Sequence, residues 1–64
     1  MFDVVEVDIE TAKVRVMERN KDSRNAEAIV NLAVMRRGVA GHFFSVALAG
    51  KYHDGDEYVG TGTH

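Results

Sequence analysis

The densest group of side chains able to hold a metal is His53, Asp54, Asp56 and Glu57. Hard cations take several oxygens arranged around a loop, and this run offers three carboxylates within four residues. The spacing fits no EF-hand, however, and Asp54-Gly55 is explained in full as a tight turn. His42 could join His53 or His64 at a transition metal, but histidines so scattered make no ligand pattern. No metal and no other cofactor is expected. Nucleophilic catalysis needs a nucleophile, a base and an orienting group held together. Ser23 reads as a helix cap and Ser45 as an ordinary strand residue. Gly38-Val39-Ala40-Gly41 follows a helix instead of opening one, so it forms no phosphate loop. A chain of 64 residues also leaves little room for a substrate pocket of roughly 300 Å³ or more. Neither an enzyme nor a small-molecule substrate is expected.

Charge is the next possible carrier of function. Residues 11–37 hold seven Lys/Arg against three acids, while residues 1–10 hold four acids and no base. Arg15, Arg19, Arg24, Arg36 and Arg37, with Lys13 and Lys21, could form a stripe able to reach phosphates. Against that, the net charge is −2, and no aromatic ring lies among the basic residues to stack on a base. Nucleic-acid binding is the alternative reading.

These side chains must be placed by a small set of elements. Residues 2–19 alternate as a β-hairpin, with Val5, Val7, Val14 and Val16 sharing one face. With the turn at Glu10-Thr11, Val7 faces Val14 and Val5 faces Val16. Asp8 then faces Lys13, Glu6 faces Arg15, and Val4 faces Met17, so the second face carries opposite-charge pairs. A four-residue loop over residues 9–12 would keep that pairing. Asp22 or Ser23 is the expected N-cap of a helix over 24–37. Arg36 and Arg37 suit its last turn, and Gly38 suits the position after it. The stripe Ala28, Ile29, Leu32, Met35 is expected to pack on the sheet. His42 to Leu48 reads as a third strand. The Asp54-Gly55 turn could close a short second hairpin with Lys51 opposite Tyr58, making a fourth strand.

The expected class is α+β, a small antiparallel sheet in the order β-β-α-β with one helix packed on one face. Pairing the third strand antiparallel to the first, order 2-1-3, is favoured. A parallel pairing beside the second strand is the competing topology. Residues 1–60 form the single domain, and residues 61–64 should be a flexible tail.

Ala26, Val30, Ala33 and Val34 cover much of the remaining helix circumference, where a helix on a small sheet normally shows a broad polar face. An apolar patch of this kind usually marks an interface. Its alanines allow the close helix–helix approach that an isologous homodimer needs. The competing reading is cover by Tyr52, Tyr58 and Val59. A protein partner, which includes a second copy, is therefore the expected ligand. The small size points the same way, since a domain of about 60 residues buries only about 60% of its unfolded surface.

In length and layout the chain resembles the small accessory proteins of bacteriophages. The residues behind the likeness are the valine-rich hairpin, the run from Asn25 to Gly38, and the strand opening His42-Phe43-Phe44. The resemblance implies a binder that inhibits or redirects a host protein, and it carries over no functional residue. Residues 1–6 contain no basic segment and no long apolar run, and the chain has no cysteine. A cytoplasmic protein without a membrane span is expected.

Overall fold

The alternating valines of the first two strands pair as a hairpin in the expected register near its turn. In the computed structural model, which describes residues 1–59, β1 (Phe2–Asp8) and β2 (Val14–Lys21) are antiparallel. Val7 faces Val14, Glu6 faces Arg15 and Val5 faces Val16. Beyond Val5 the ladder slips twice: Val4 faces Glu18, not Met17, and Phe2 faces Lys21. Each slip inserts an extra residue into β2, and Asn20 sits at φ 58° within the second. The bulge has a visible anchor, because the Asn20 amide donates to Asp3 Oδ1 at 3.0 Å. At the other end the loop over residues 9–12 closes with the Asp8 amide on the Lys13 carbonyl. The Asp8 carboxylate turns back to accept from the Glu10 and Thr11 amides. It therefore does not pair with Lys13.

The helix α1 (Ser23–Arg37) begins at Asp22, whose carboxylate accepts from the Asn25 amide at 2.8 Å. It ends at Gly38, which takes φ 72° and donates its amide to the Val34 carbonyl. A left-handed turn of this kind favours glycine. Strand β3 (His42–Leu48) then pairs antiparallel with β1, giving the order β2-β1-β3. The fold is the small antiparallel α+β class, and the parallel alternative does not form. Residues 61–64 lie outside the described residues.

The face of the helix turned to the sheet differs from the expected stripe. Ala26 and Ala33 are buried, and Ile29 and Val30 are half-buried, a spacing of i, i+3, i+4, i+7. Met35 is 82% exposed, and Ala28 and Leu32 are also exposed. The alanines let the helix axis approach the sheet closely, so the larger side chains are left at its rims.

The helix covers the face on which opposite-charge pairs were expected, not the valine face. The helix lies over the side bearing Val4, Glu6 and Phe44; Arg37 bonds Glu6 and stacks over the Phe44 ring. The valine side is covered by residues after β3. Val5, Val7, Val14 and Tyr52 form the core there, with Val16, Phe43, Ala47 and Tyr58 packed against it. Tyr58 meets Phe43 edge-on at 5.3 Å and stacks on Tyr52 at 5.7 Å. The sheet is thus sandwiched between the helix and the segment ending at Val59.

The Asp54-Gly55 turn forms, but no second hairpin follows and Lys51 does not face Tyr58. Instead the turn docks against the outer edge of β2. The Gly55 amide donates to the Val14 carbonyl, and the Val14 amide donates to the Asp56 carbonyl. Asp54 Oδ1 accepts from the Val16 amide at 2.7 Å, and an isolated bridge joins Lys13 to Glu57. Edge amides of β2 otherwise open to water are satisfied by this plug. No fourth strand forms among the described residues.

Candidate functional site

The plug on β2 leaves β3 as the other edge of the sheet. Backbone geometry fixes which of its groups point outward. The Ile9 amide donates to the Gly41 carbonyl and the Ala49 amide to the Met1 carbonyl, each at 3.0 Å. Odd-numbered residues of this stretch therefore bond to β1, and the alternation of an antiparallel ladder turns the even-numbered ones away. The N–H and C=O groups of His42, Phe44, Val46 and Leu48 accordingly face outward. The Leu48 carbonyl accepts from the Lys51 amide. Among the described residues, no backbone group pairs with the other outward groups.

Among the described residues, nothing along β3 guards this edge. Sheet edges are commonly protected by Lys, Pro, bulges or cover, and His42–Leu48 contains no Lys, Arg, Asp, Glu or Pro and keeps an unbroken register. β2 has charges, two bulges and the docked turn. Beside the open edge, Val46 is 38% and Leu48 65% exposed on the helix side of the sheet. Ile29, Leu32, Ala33 and Arg36 line a groove with Met17 toward β2, so helical spacing turns Val34 to the β3 side. Val34 is 38% exposed. Val46 and Leu48 thus give the free edge an apolar flank, and the helix adds an exposed Val34.

Of the four helix residues expected at a partner interface, Val34 alone is exposed, and at 38% only in part. Ala26 and Ala33 are sealed against the sheet, and Val30 is half-buried there. The correction follows from size: small side chains are where helix and sheet touch, so they cannot also face a partner.

The arginines do not form one stripe. Arg19 reaches Asp3 at 3.2 Å on the valine side of the sheet, and Arg37 bonds Glu6 at 2.8 Å on the helix side. Arg24 lies in the first turn of the helix and Arg36 in the last. Glu6 is thereby taken by Arg37 and by His42 Nδ1 at 3.3 Å, and not by Arg15. The ion pairs among the described residues include neither Lys13 nor Arg15. Both line a cleft of about 330 Å³ with Thr11, Arg37 and His42, larger than the chain length suggested. His42 Nε2 lies 2.8 Å from the Gly38 carbonyl, at the end of the helix.

Asp54 and Asp56 bind backbone amides, of Val16 and His53 respectively. Among the described residues no group of three His, Cys, Asp or Glu is arranged to hold a metal. No helix among them is long and apolar enough to cross a membrane.

Asp3 was not singled out by chemistry, yet it is the buried acid of the structure, 1% exposed. It accepts from the Asn20 and Gly50 amides and from Arg19. Its signal was present in the sequence, as an acid in phase with Val5 and Val7. A charge at a core-phase position is rarely buried without partners. Comparison of the chain with family models, with curated proteins and with solved structures finds no match.

Proposed function

We propose that the chain is a non-enzymatic protein-binding module that docks through the β3 edge, its apolar flank of Val46 and Leu48, and the exposed Val34. The observation that carries this reading is the open run of outward N–H and C=O groups on an uncharged edge strand. An edge of this kind adds a strand from another chain, main-chain bonds supplying affinity and flanking pockets specificity. Occlusion of the bound surface is the mode of action, as a regulator or inhibitor of the kind the phage-like layout suggests. Val46→Lys places a charge on the edge without touching the core. It should weaken binding to the protein partner at least tenfold, measured by pull-down or titration, whereas Met35→Lys on the helix face turned away from the sheet should change it less than twofold. Equal effects of the two substitutions would reject the β3 edge as the docking surface.

A second reading, nucleic-acid binding, is favoured by Lys13 and Arg15. Their expected neutralisation by Asp8 and Glu6 does not occur, because those carboxylates serve the turn and Arg37. Phosphate contact by two free cations gives a salt-dependent affinity. On this reading Lys13→Glu with Arg15→Glu abolishes retention of a short DNA or RNA duplex at low salt. Retention unchanged by that pair, or none before mutation, removes the reading.

A further inference from the structure

We infer that the occupant of the β3 edge is a second copy of this chain, added antiparallel about Ser45. This rests on the reading of that edge as the docking surface. Two three-stranded sheets would then join into one continuous sheet, β2-β1-β3 against β3-β1-β2, with both helices on the same face.

The hydrogen-bond pattern selects the register. Outward groups occur at His42, Phe44, Val46 and Leu48, so self-pairing must set even-numbered residues opposite each other. Centred on Ser45, His42 faces Leu48 and Phe44 faces Val46 of the second copy, and all four residues are used. Centring on Phe44 leaves Leu48 unpaired, and centring on Val46 leaves His42 unpaired. The Leu48 carbonyl keeps its bond to Lys51 and still has a second lone pair to offer.

Charge and shape favour a copy over an unrelated segment. Apart from the titratable His42, the strand carries no ionisable side chain, so self-apposition brings no like charges together. The antiparallel arrangement also sets the Asp8–His42 end of one copy beside the Lys51 end of the other. Across the junction Val46 lies next to Phe44 of the second copy, and the two Val34 side chains approach from the flanking helices. One apolar flank is thereby covered by its own image, as an isologous interface requires. Because β2 is plugged and charged, the second edge cannot continue the addition. The assembly closes as a dimer and does not extend into a fibre.

The chain contains no cysteine, which allows a direct test of the register. In the proposed dimer the two Ser45 residues form a pair that exchanges no backbone bonds, with Cα atoms about 4.5 Å apart. That separation lies within disulfide range. Under mild oxidation Ser45→Cys should form a covalent dimer as the main product, while Ala47→Cys, displaced along the strand, should form about a tenth as much or less. Light scattering over a concentration series should show a dimer for the wild type. Val46→Lys should be a monomer with an unchanged circular dichroism spectrum. A wild-type monomer at every concentration overturns the second copy as occupant. Hydrogen exchange at the Phe44 and Val46 amides then separates the two levels: fast exchange keeps the edge open for another protein, and protection in the monomer overturns the docking surface as well. A dimer that survives Val46→Lys, with no Ser45→Cys cross-link, overturns both.

Discussion

Asp3→Ala is expected to destabilise the domain by about 2 to 4 kcal/mol, a large share of the total for a chain of this size. Asp3 is sealed from solvent and joins three parts of the chain. Its Oδ1 holds the Asn20 amide of the β2 bulge, and its Oδ2 holds the Gly50 amide and Arg19. Removal leaves two amides and a half-exposed guanidinium without their acceptor. The loss should appear as a lower urea midpoint, with the spectra of the folded state unchanged. Asp3→Asn retains one acceptor oxygen but turns an NH2 group toward donors, so most of the loss should remain. The two carboxyl forms also give a pH signature. Burial pushes the Asp3 carboxyl up, while the amides of Gly50 and Asn20 and the charge of Arg19 outweigh it and set the net value below the ordinary 3.8. A folded pKa below the unfolded one means the contribution is complete above about pH 4 and declines as pH falls through the folded value. The stability gap between wild type and Asp3→Asn should therefore be widest near neutrality and narrow below pH 4. A constant gap from pH 7 to pH 2 would assign the effect to packing and not to the carboxylate.

How much of this was readable depended on whether the deciding contact was local. The hairpin register near the turn follows from the alternation of Val5, Val7, Val14 and Val16, since a slip would turn them to the other face. The register first fails at Met17, the extra residue between the Val5–Val16 and Val4–Glu18 pairs, and the second slip is held by Asp3 on the Asn20 amide, a contact between residues seventeen apart in the chain. Both helix ends were legible, because Asp22 and Gly38 act within one turn. The buried helix face was not. Large apolar residues at Leu32 and Met35 suggested the contact, but close approach to the sheet is set by the smallest side chains, Ala26 and Ala33. The same error moved the candidate interface, of which Val34 alone stays exposed to a partner. Asp54-Gly55 was legible as a turn, whereas its docking on β2 depends on Val14 and Val16 about forty residues earlier. An open edge on β3 becomes apparent only when the strand order and the plug on β2 are both known.

Tyr52→Ala should cost about 3 to 5 kcal/mol and leave the chain largely unfolded at 25 °C. Its ring is 4% exposed and packs with Val5, Val7 and Val14, the centre of the valine side of the sheet. Its hydroxyl donates to the Val59 carbonyl at 2.9 Å and accepts from the Val59 amide at 3.1 Å. One side chain thus fills the core and ties down the segment that covers it. Tyr52→Phe removes only the hydroxyl bonds and should cost about 1 to 2 kcal/mol. Met35→Ala, on the exposed helix face, should stay within about 0.5 kcal/mol of wild type. Urea midpoints for the three variants rank the layers of the fold. With the helix on one side and the C-terminal segment on the other, β1 is buried on both faces, which is why Val4, Val5 and Val7 are all sealed. If Tyr52→Ala cost no more than Met35→Ala, the segment after β3 would be a loose appendage, and the valine side of the sheet would need another cover. The proposed β3 dimer does not supply one, because it joins the sheets edge to edge and leaves that face outside the interface.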